Sequence, residues 1–291
     1  MTESRSPSPA GITSMPELPE VEVIRRGLAP LLVGRRFLAV QAGDKRLRQQ
    51  SSPPDLRRWL LGRRLESLAR RGKYLVFHLE GGATLLIHLG MTGHLLAGPI
   101  PSPPLPHVHL VFRMEGGLDL FFQDTRRFGQ VLVFSPGVDP PPLAQVGAEP
   151  FSRKVTPAWL AEQARGRSRP IKNFLLDARI LAGIGNIYAC EILWAARLHP
   201  ATPAGRLTLT DWDRVLAETR RILKHAIRKG GTTVSDYLNS KGEAGLFQLE
   251  LLAYGRAGQP CRCGATIQRL VQAGRSSFFC PVCQPLRDCK P

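Results

Sequence analysis

Met15-Pro16-Glu17-Leu18-Pro19-Glu20-Val21-Glu22 is the stretch from which the rest of the chain is read. A proline follows a methionine directly, with acidic residues close behind. If the working protein begins at Pro16, its nitrogen is a secondary amine at a chain end. Such an amine attacks an electrophilic sugar carbon and forms an iminium, whereas an internal proline has its nitrogen locked in an amide. The same stretch opens a helical pattern. Leu18, Val21, Ile24, Leu28 and Leu31 recur at helical spacing across 17–32, with Arg25 and Arg26 off that stripe.

Upstream, residues 1–14 are polar, rich in Ser and Pro, and lack the apolar core of a secretory signal. They read as disordered or as no part of the mature protein, so residues 1–15 are expected to be a poorly ordered or non-native extension. The 291 residues suggest two domains of ordinary size. A hydrophobic content of 43% is enough for real cores. There is no run of 18 or more apolar residues, which argues against a membrane span. The formal net charge is +17, with 40 Lys+Arg against 23 Asp+Glu. That balance favours a polyanionic partner, nucleic acid first, although charge alone also fits a merely basic protein.

Downstream of the leading helix, β-rich runs at 37–41, 74–79, 84–89, 108–113, 118–122 and 130–134 are separated by short Gly- or Pro-rich turns. They predict an antiparallel β-sandwich or barrel. The segment 136–142 (PGVDPPP) breaks the pattern and reads as a linker, and 101–106 (PSPPLP) as a surface loop. Helical patterns follow at 157–165, 170–178, 186–196 and 208–228.

Cys261-x-Cys263, sixteen residues, then Cys280-x-x-Cys283 forms two thiol pairs around a hairpin-sized insert carrying Arg269 and Arg275. Four thiolates suit one closed, structural Zn2+ site, and clustered cysteines of this kind fit a reducing, cytoplasmic setting. Cys289 is a candidate substitute ligand. Gly183-Ile184-Gly185-Asn186 precedes a helix and reads either as a phosphate-binding N-terminus or as an ordinary turn between helices. Asp124-Thr125-Arg126-Arg127-Phe128-Gly129 sets two cations and an aromatic on a strand connection. Met91 and Phe128 read as core or as wedges that fill the hole left by an evicted base. Lys73, after Arg70-Arg71-Gly72, begins a strand and reads as an ordinary solvated lysine.

Taken in order, MPELPEVE, RRGKYL, HLGM, RRFG, PIK, GIGNIYA, YGR and the terminal cysteine hairpin resemble the formamidopyrimidine-DNA glycosylase family, from Met15 to about Gln284. Leu18 within PELPE resembles the purine-lesion branch; the endonuclease VIII branch tends to carry Gly there. The resemblance implies an α+β fold: an N-terminal antiparallel β-sandwich with a leading helix, then a helix-two-turn-helix domain with a zinc-finger β-hairpin. The expected division is an extension at 1–15, a catalytic sandwich at 16–135, a linker at 136–150, a helical DNA-binding domain at 151–254, a zinc finger at 255–285 and a tail at 286–291.

It also implies roles. Pro16 is the nucleophile, Glu17 protonates the sugar ring oxygen, Glu20 supports the acidic cluster, Lys73 assists the lyase steps or contacts phosphate, and Arg275 serves the second elimination. His107, Arg126, Arg167, Asn186 and Lys172 contact DNA, while Met91, Arg126 and Phe128 fill the void. Thr233, Val234, Ser235, Asp236 and Tyr237 form the loop that caps the lesion. Cys261, Cys263, Cys280 and Cys283 hold zinc, although the first pair is one residue shorter than the family's.

The expected enzyme is a bifunctional purine-lesion glycosylase and abasic-site lyase of base-excision repair. It is expected to be a bacterial cytoplasmic, nucleoid-associated monomer acting on double-stranded damaged DNA. The chain is expected to start at Met15, or to be cut there, so that methionine removal exposes the Pro16 amine; residues 1–15, if present, are expected near the DNA cleft, which they would block. Two alternatives remain at this point: an oxidised-pyrimidine glycosylase, and a non-catalytic damage-binding protein if residues 1–15 are retained.

Overall fold

The computed structural model describes residues 15–99, 105–232 and 247–286, without the side chains of 248 and 249. The expectations for residues 1–14, for the capping loop 233–237 and for Cys289 fall outside those residues, as does most of the 101–106 loop.

Helix α1 (Leu18–Leu32) starts with Pro19 in its first turn, where a missing N–H costs nothing. The Glu17 N–H donates to Glu20 Oε2 at 2.8 Å, closing that turn. The apolar stripe divides. Val21, Ile24, Leu28 and Leu32 enter the core of the β-sandwich, while Leu18 is buried in the core of the helical domain. The expected last member, Leu31, is 37% exposed; Leu32, four residues after Leu28, takes its place.

The sandwich contains β1 (Phe37–Ala42), β2 (Gln49–Gln50), α2 (Pro53–Leu60), β3 (Leu65–Arg71), β4 (Tyr74–Leu79), β5 (Thr84–His88), β6 (Gly93–Gly98), β7 (Val108–Met114), β8 (Leu118–Asp124) and β9 (Gln130–Phe134). One sheet has the order β1-β7-β8-β6 and the other β2-β9-β5-β4-β3. Pairing is antiparallel except for the short parallel pair β2–β9. Phe37, Phe77, Phe112 and Phe122 fill the space between the sheets. Strands β3 and β6 and helix α2 add to the sequence reading. In the β3–β4 hairpin, Arg71 pairs with Tyr74 across a two-residue turn, Gly72-Lys73. Gly72 has φ 58°, which favours glycine. Lys73 therefore sits on a tight hairpin tip and not in a strand.

The second domain holds α3 (Pro141–Ala144), α4 (Pro157–Ala164), α5 (Ile171–Leu175), α6 (Asn186–Ala195) and α7 (Leu209–Arg228) around Tyr188, Phe174 and Trp212. Thr156 and Thr208 cap α4 and α7 with side-chain oxygens. The residue before α6 is Gly185, which has no side chain to do so. Among the described residues, no helix is long and apolar enough to cross a membrane. At the C-terminal end, β10 (Gln268–Gln272) and β11 (Arg275–Phe279) form a hairpin. Its turn residues Ala273 and Gly274 both have positive φ, so Arg275 follows a tight turn at the tip.

Candidate active site

The first N–H groups of a helix have no partner within it. At α6 a residue from the other domain supplies one. Glu17 Oε2 accepts from the Gly185 N–H at 2.6 Å and Oε1 from the Ile187 N–H at 2.9 Å. The turn read as a possible phosphate site is thus occupied by the protein's own carboxylate. Burial pushes the Glu17 carboxyl up to about 7, against the pull of Lys73 and of the two N–H donors and aided by nearby Glu20. A Cβ on Gly185 would lie 2.5 Å from Glu17 Oε1 and 2.7 Å from Lys73 Nζ. Glycine is needed here because acid and amine both converge on its Cα. Burial lowers the Lys73 ammonium, opposed by Glu17 and Glu20 and assisted by Arg275.

Glu17, Lys73, Met91, Asn186 and Arg275 line one cleft of about 560 Å3 between the domains, with Met15 at its edge and Pro16 buried beside it. His88 and Tyr254 line it too, and neither was singled out from the sequence. The Gly90 N–H donates to His88 Nδ1 at 3.1 Å, which leaves a proton on Nε2. Burial, then the Lys73 charge, drop His88 to about 4, so the ring is neutral at physiological pH. Burial pushes the Tyr254 phenol up to about 12. A larger hollow of about 810 Å3 lies behind α6 and α7, away from these titrating groups except at the shared Tyr254.

Lys172, expected at the DNA, is fully buried. Its Nζ donates to the Ser276 carbonyl and to Ser277 Oγ, both at 2.7 Å, and Asn186 Nδ2 reaches the same carbonyl at 3.1 Å. A lysine with no exposed surface cannot touch phosphate. It instead holds the strand that follows Arg275. Glu20 stands behind Glu17: its Oε1 accepts from the Tyr188 hydroxyl at 2.5 Å and from the Thr232 N–H at 2.8 Å. The carboxylate that closes the first turn of α1 thereby anchors the residue preceding the expected capping loop. Burial raises its pKa.

Arg126 and the 40%-exposed Phe128 stack, guanidinium over ring at 4.9 Å, on the β8–β9 connection. His107 and Arg167 are exposed. Arg167 belongs to the loop after α4 and does not line the cleft.

The four cysteine sulfurs lie within 4.8 Å of one another, with Cys261–Cys283 at 3.9 Å and Cys263–Cys280 at 3.5 Å. A tetrahedral zinc with Zn–S bonds of about 2.3 Å needs sulfur separations of roughly 3.8 Å. The short Cys261-x-Cys263 knuckle therefore fits one structural zinc among the described residues.

Comparison with known proteins gives the same arrangement. Three family models match: the formamidopyrimidine-DNA glycosylase N-terminal domain over residues 15–131, its H2TH domain over 146–237, and the zinc finger found in FPG and IleRS over 258–286. The formamidopyrimidine-DNA glycosylase of Chloroflexus aggregans is 43% identical over 274 residues, covering 94% of this chain and 99% of that protein. The MutM (Fpg) protein of Thermus thermophilus superposes with a TM-score of 0.83 at 40% identity, covering 94% of this chain and all of that one. Lactococcus lactis Fpg, bound to DNA carrying N7-benzyl-Fapy-dG or an oxidised pyrimidine, gives a TM-score of 0.85 at 34% identity, covering 93% of this chain and 100% of that one. The chain belongs to the formamidopyrimidine-DNA glycosylase family, zinc-finger enzymes that remove damaged bases from DNA in base-excision repair and act as both glycosylases and abasic-site lyases.

Proposed function

We propose that this chain removes oxidised purines, 8-oxoguanine and formamidopyrimidines, from duplex DNA through attack of the Pro16 amine on C1′, and then cleaves the strand by β- and δ-elimination. The observation that carries the reading is the Glu17 carboxylate held by the Gly185 and Ile187 N–H groups beside Pro16 and Lys73, where burial pushes it up to about 7. A free α-amine has a reference pKa of about 7.7–8.0, so near neutrality part of it is unprotonated while part of Glu17 still holds its proton. The damaged nucleotide swings out of the stack first. The Pro16 lone pair then forms the N–C1′ bond as the C1′–base bond breaks, the departing base takes the proton that the Pro16 nitrogen loses, and Glu17 gives its own proton to the ring oxygen as the sugar opens to the iminium. The iminium accepts the electron pair released when a C2′ proton leaves, which expels the 3′ phosphate. A second elimination expels the 5′ phosphate, with Arg275 at the hairpin tip and Lys73 beside the reacting carbon. The predicted product is a one-nucleotide gap.

The amine exists only if the chain starts at Pro16. The family match beginning at residue 15, and relatives matched over 99–100% of their length, support a working start at Met15 followed by methionine removal. The enzyme would act as a monomer on nucleoid DNA in the bacterial cytoplasm. Leu18 within PELPE, which resembles the purine-lesion branch of the family, supports purine lesions over oxidised pyrimidines. Borohydride reduces the iminium to a stable amine, so protein beginning at Pro16 should be trapped on an 8-oxoguanine duplex through its N-terminal peptide, and absence of that adduct sinks the mechanism. Faster cleavage of a thymine glycol duplex than of the 8-oxoguanine duplex would reassign the lesion class.

A further inference from the structure

Met91, His107 and the Arg126–Phe128 stretch sit on three separate segments, and one buried residue, Asp124, joins all three through its carboxylate and its main chain. Asp124, at the end of β8, has no exposed surface. Its Oδ1 accepts from the Thr92 hydroxyl at 2.5 Å and from the Arg126 N–H at 3.2 Å, and its Oδ2 from the Gly129 N–H at 2.8 Å. Thr92 Oγ1 shares the Arg126 N–H at 3.1 Å. The main chain takes part as well: the Asp124 N–H donates to the His107 carbonyl at 2.9 Å, and its carbonyl meets His109 Nε2 at 2.8 Å. Met91 immediately precedes Thr92, while Arg126 and Phe128 lie between Asp124 and Gly129.

Two further observations show that this geometry is held and not merely adopted. His107 and Arg127 have φ of 64° and 58°, a region that disfavours any residue with a Cβ. Such conformations persist where the surroundings over-determine them, and both residues lie within bonds that end on Asp124. The segments are also in direct contact: a Cβ on Gly90 would fall 2.5 Å from the Phe128 carbonyl carbon. The two carboxyl oxygens accept from the hydroxyl and both N–H donors together. An amide in its place would turn an NH2 group against one of them.

We propose that Asp124, with Thr92 as its partner, is the positioning residue for the void-filling set, holding Met91, Arg126, Phe128 and His107 in the arrangement that enters the duplex. This rests on the reading of Met91 and Phe128 as wedges. The test uses protein beginning at Pro16, the working start proposed above, and measures the ratio of its affinities for a duplex carrying one tetrahydrofuran abasic-site analogue and for the same duplex intact. D124N and T92V should each lower that ratio by about tenfold, as expected for loss of a buried hydrogen bond to a charged group, while T92S keeps it. Amide exchange at Arg126 and Gly129 should quicken in D124N without DNA. If M91A and F128A lower the ratio while D124N and T92V leave it unchanged, the proposal is overturned. If M91A and F128A leave it unchanged, the wedge reading fails instead. If D124N does not fold, T92V against T92S decides, and equal ratios for those two overturn the proposal.

Discussion

Glu17 and Glu22 are five residues apart at the start of α1, and their surroundings push them in opposite directions, the first to about 7 and the second to about 2. Both lose water on folding, and burial works to raise both. The difference lies in the partners. Glu17 meets backbone N–H groups and one lysine that is itself desolvated. Glu22 meets three guanidinium groups: Arg25 at 2.8 Å, Arg26 at 2.7 Å and Arg70 at 3.3 Å. Arg70 passes on to Glu149 at 2.9 Å, at the entry to the helical domain. Formal cations outweigh burial and make a permanent anion that ties the domains together. Peptide dipoles do not outweigh it, and leave a carboxyl able to exchange its proton near neutrality.

The sharpest way to break this contrast is to remove the exchangeable proton. E17Q keeps the size but only one of the two acceptor oxygens, and should slow iminium formation on the order of a hundred- to ten-thousandfold, measured by single-turnover borohydride trapping. In the unaltered enzyme the rate should fall as pH rises past about 7, where Glu17 loses its proton; that limb should be missing from E17Q. G185A tests the same group through its seat. The backbone there has φ −128°, open to any residue, so the whole effect is the new methyl 2.4 Å from Glu17 Cδ. Displacing the acid by that much should cost about ten- to a hundredfold in rate, in the same assay, with the fold retained by circular dichroism.

The smallest effect on chemistry belongs to the other carboxylate. E22Q should leave the rate within about threefold while lowering stability by about 2 kcal/mol at pH 7, read from denaturant midpoints. The signs of the pH dependence differ too. Glu22, lowered from 4.5, contributes stability that is complete above about 4.5 and lost as pH falls through about 2, so wild type and E22Q should converge in acid. Glu17, raised from 4.5, contributes stability that is complete below about 4.5 and lost as pH rises through about 7. A midpoint series across both windows that showed one sign for both would end the comparison.

The sequence made the ends of this design legible. Proline after methionine, the paired cysteines and the α1 stripe each announce themselves by local spacing, and Val21, Ile24 and Leu28 lie where the period puts them. What stayed hidden depends on distant partners. Strand β3, Leu-Glu-Ser-Leu-Ala-Arg-Arg, lacks alternation and is a strand because β4 pairs with it. The anchors of Glu17 are 168 and 170 residues away in sequence. Lys172 is expected at the DNA from the family resemblance alone, and only the hairpin carbonyl it donates to explains its burial. His88 and Tyr254 fall within the short motifs HLGM and YGR, whose spacing alone gave them no role. The Gly183–Asn186 turn announced a helix start correctly, while its occupant came from another domain.

That last arrangement has a consequence for how the protein is made. Leu18 and Glu17 leave the ribosome early, yet Leu18 packs in the helical core and Glu17 bonds to Gly185 and Ile187. Domains fold as units, N-terminal first, during synthesis. The β-sandwich can therefore close while the residues at its leading edge still wait for α6. The start of α1 is made early and seated late. An unfinished chain carries Glu17 without the N–H groups that hold it, and the proposed active site is complete only when the second domain arrives.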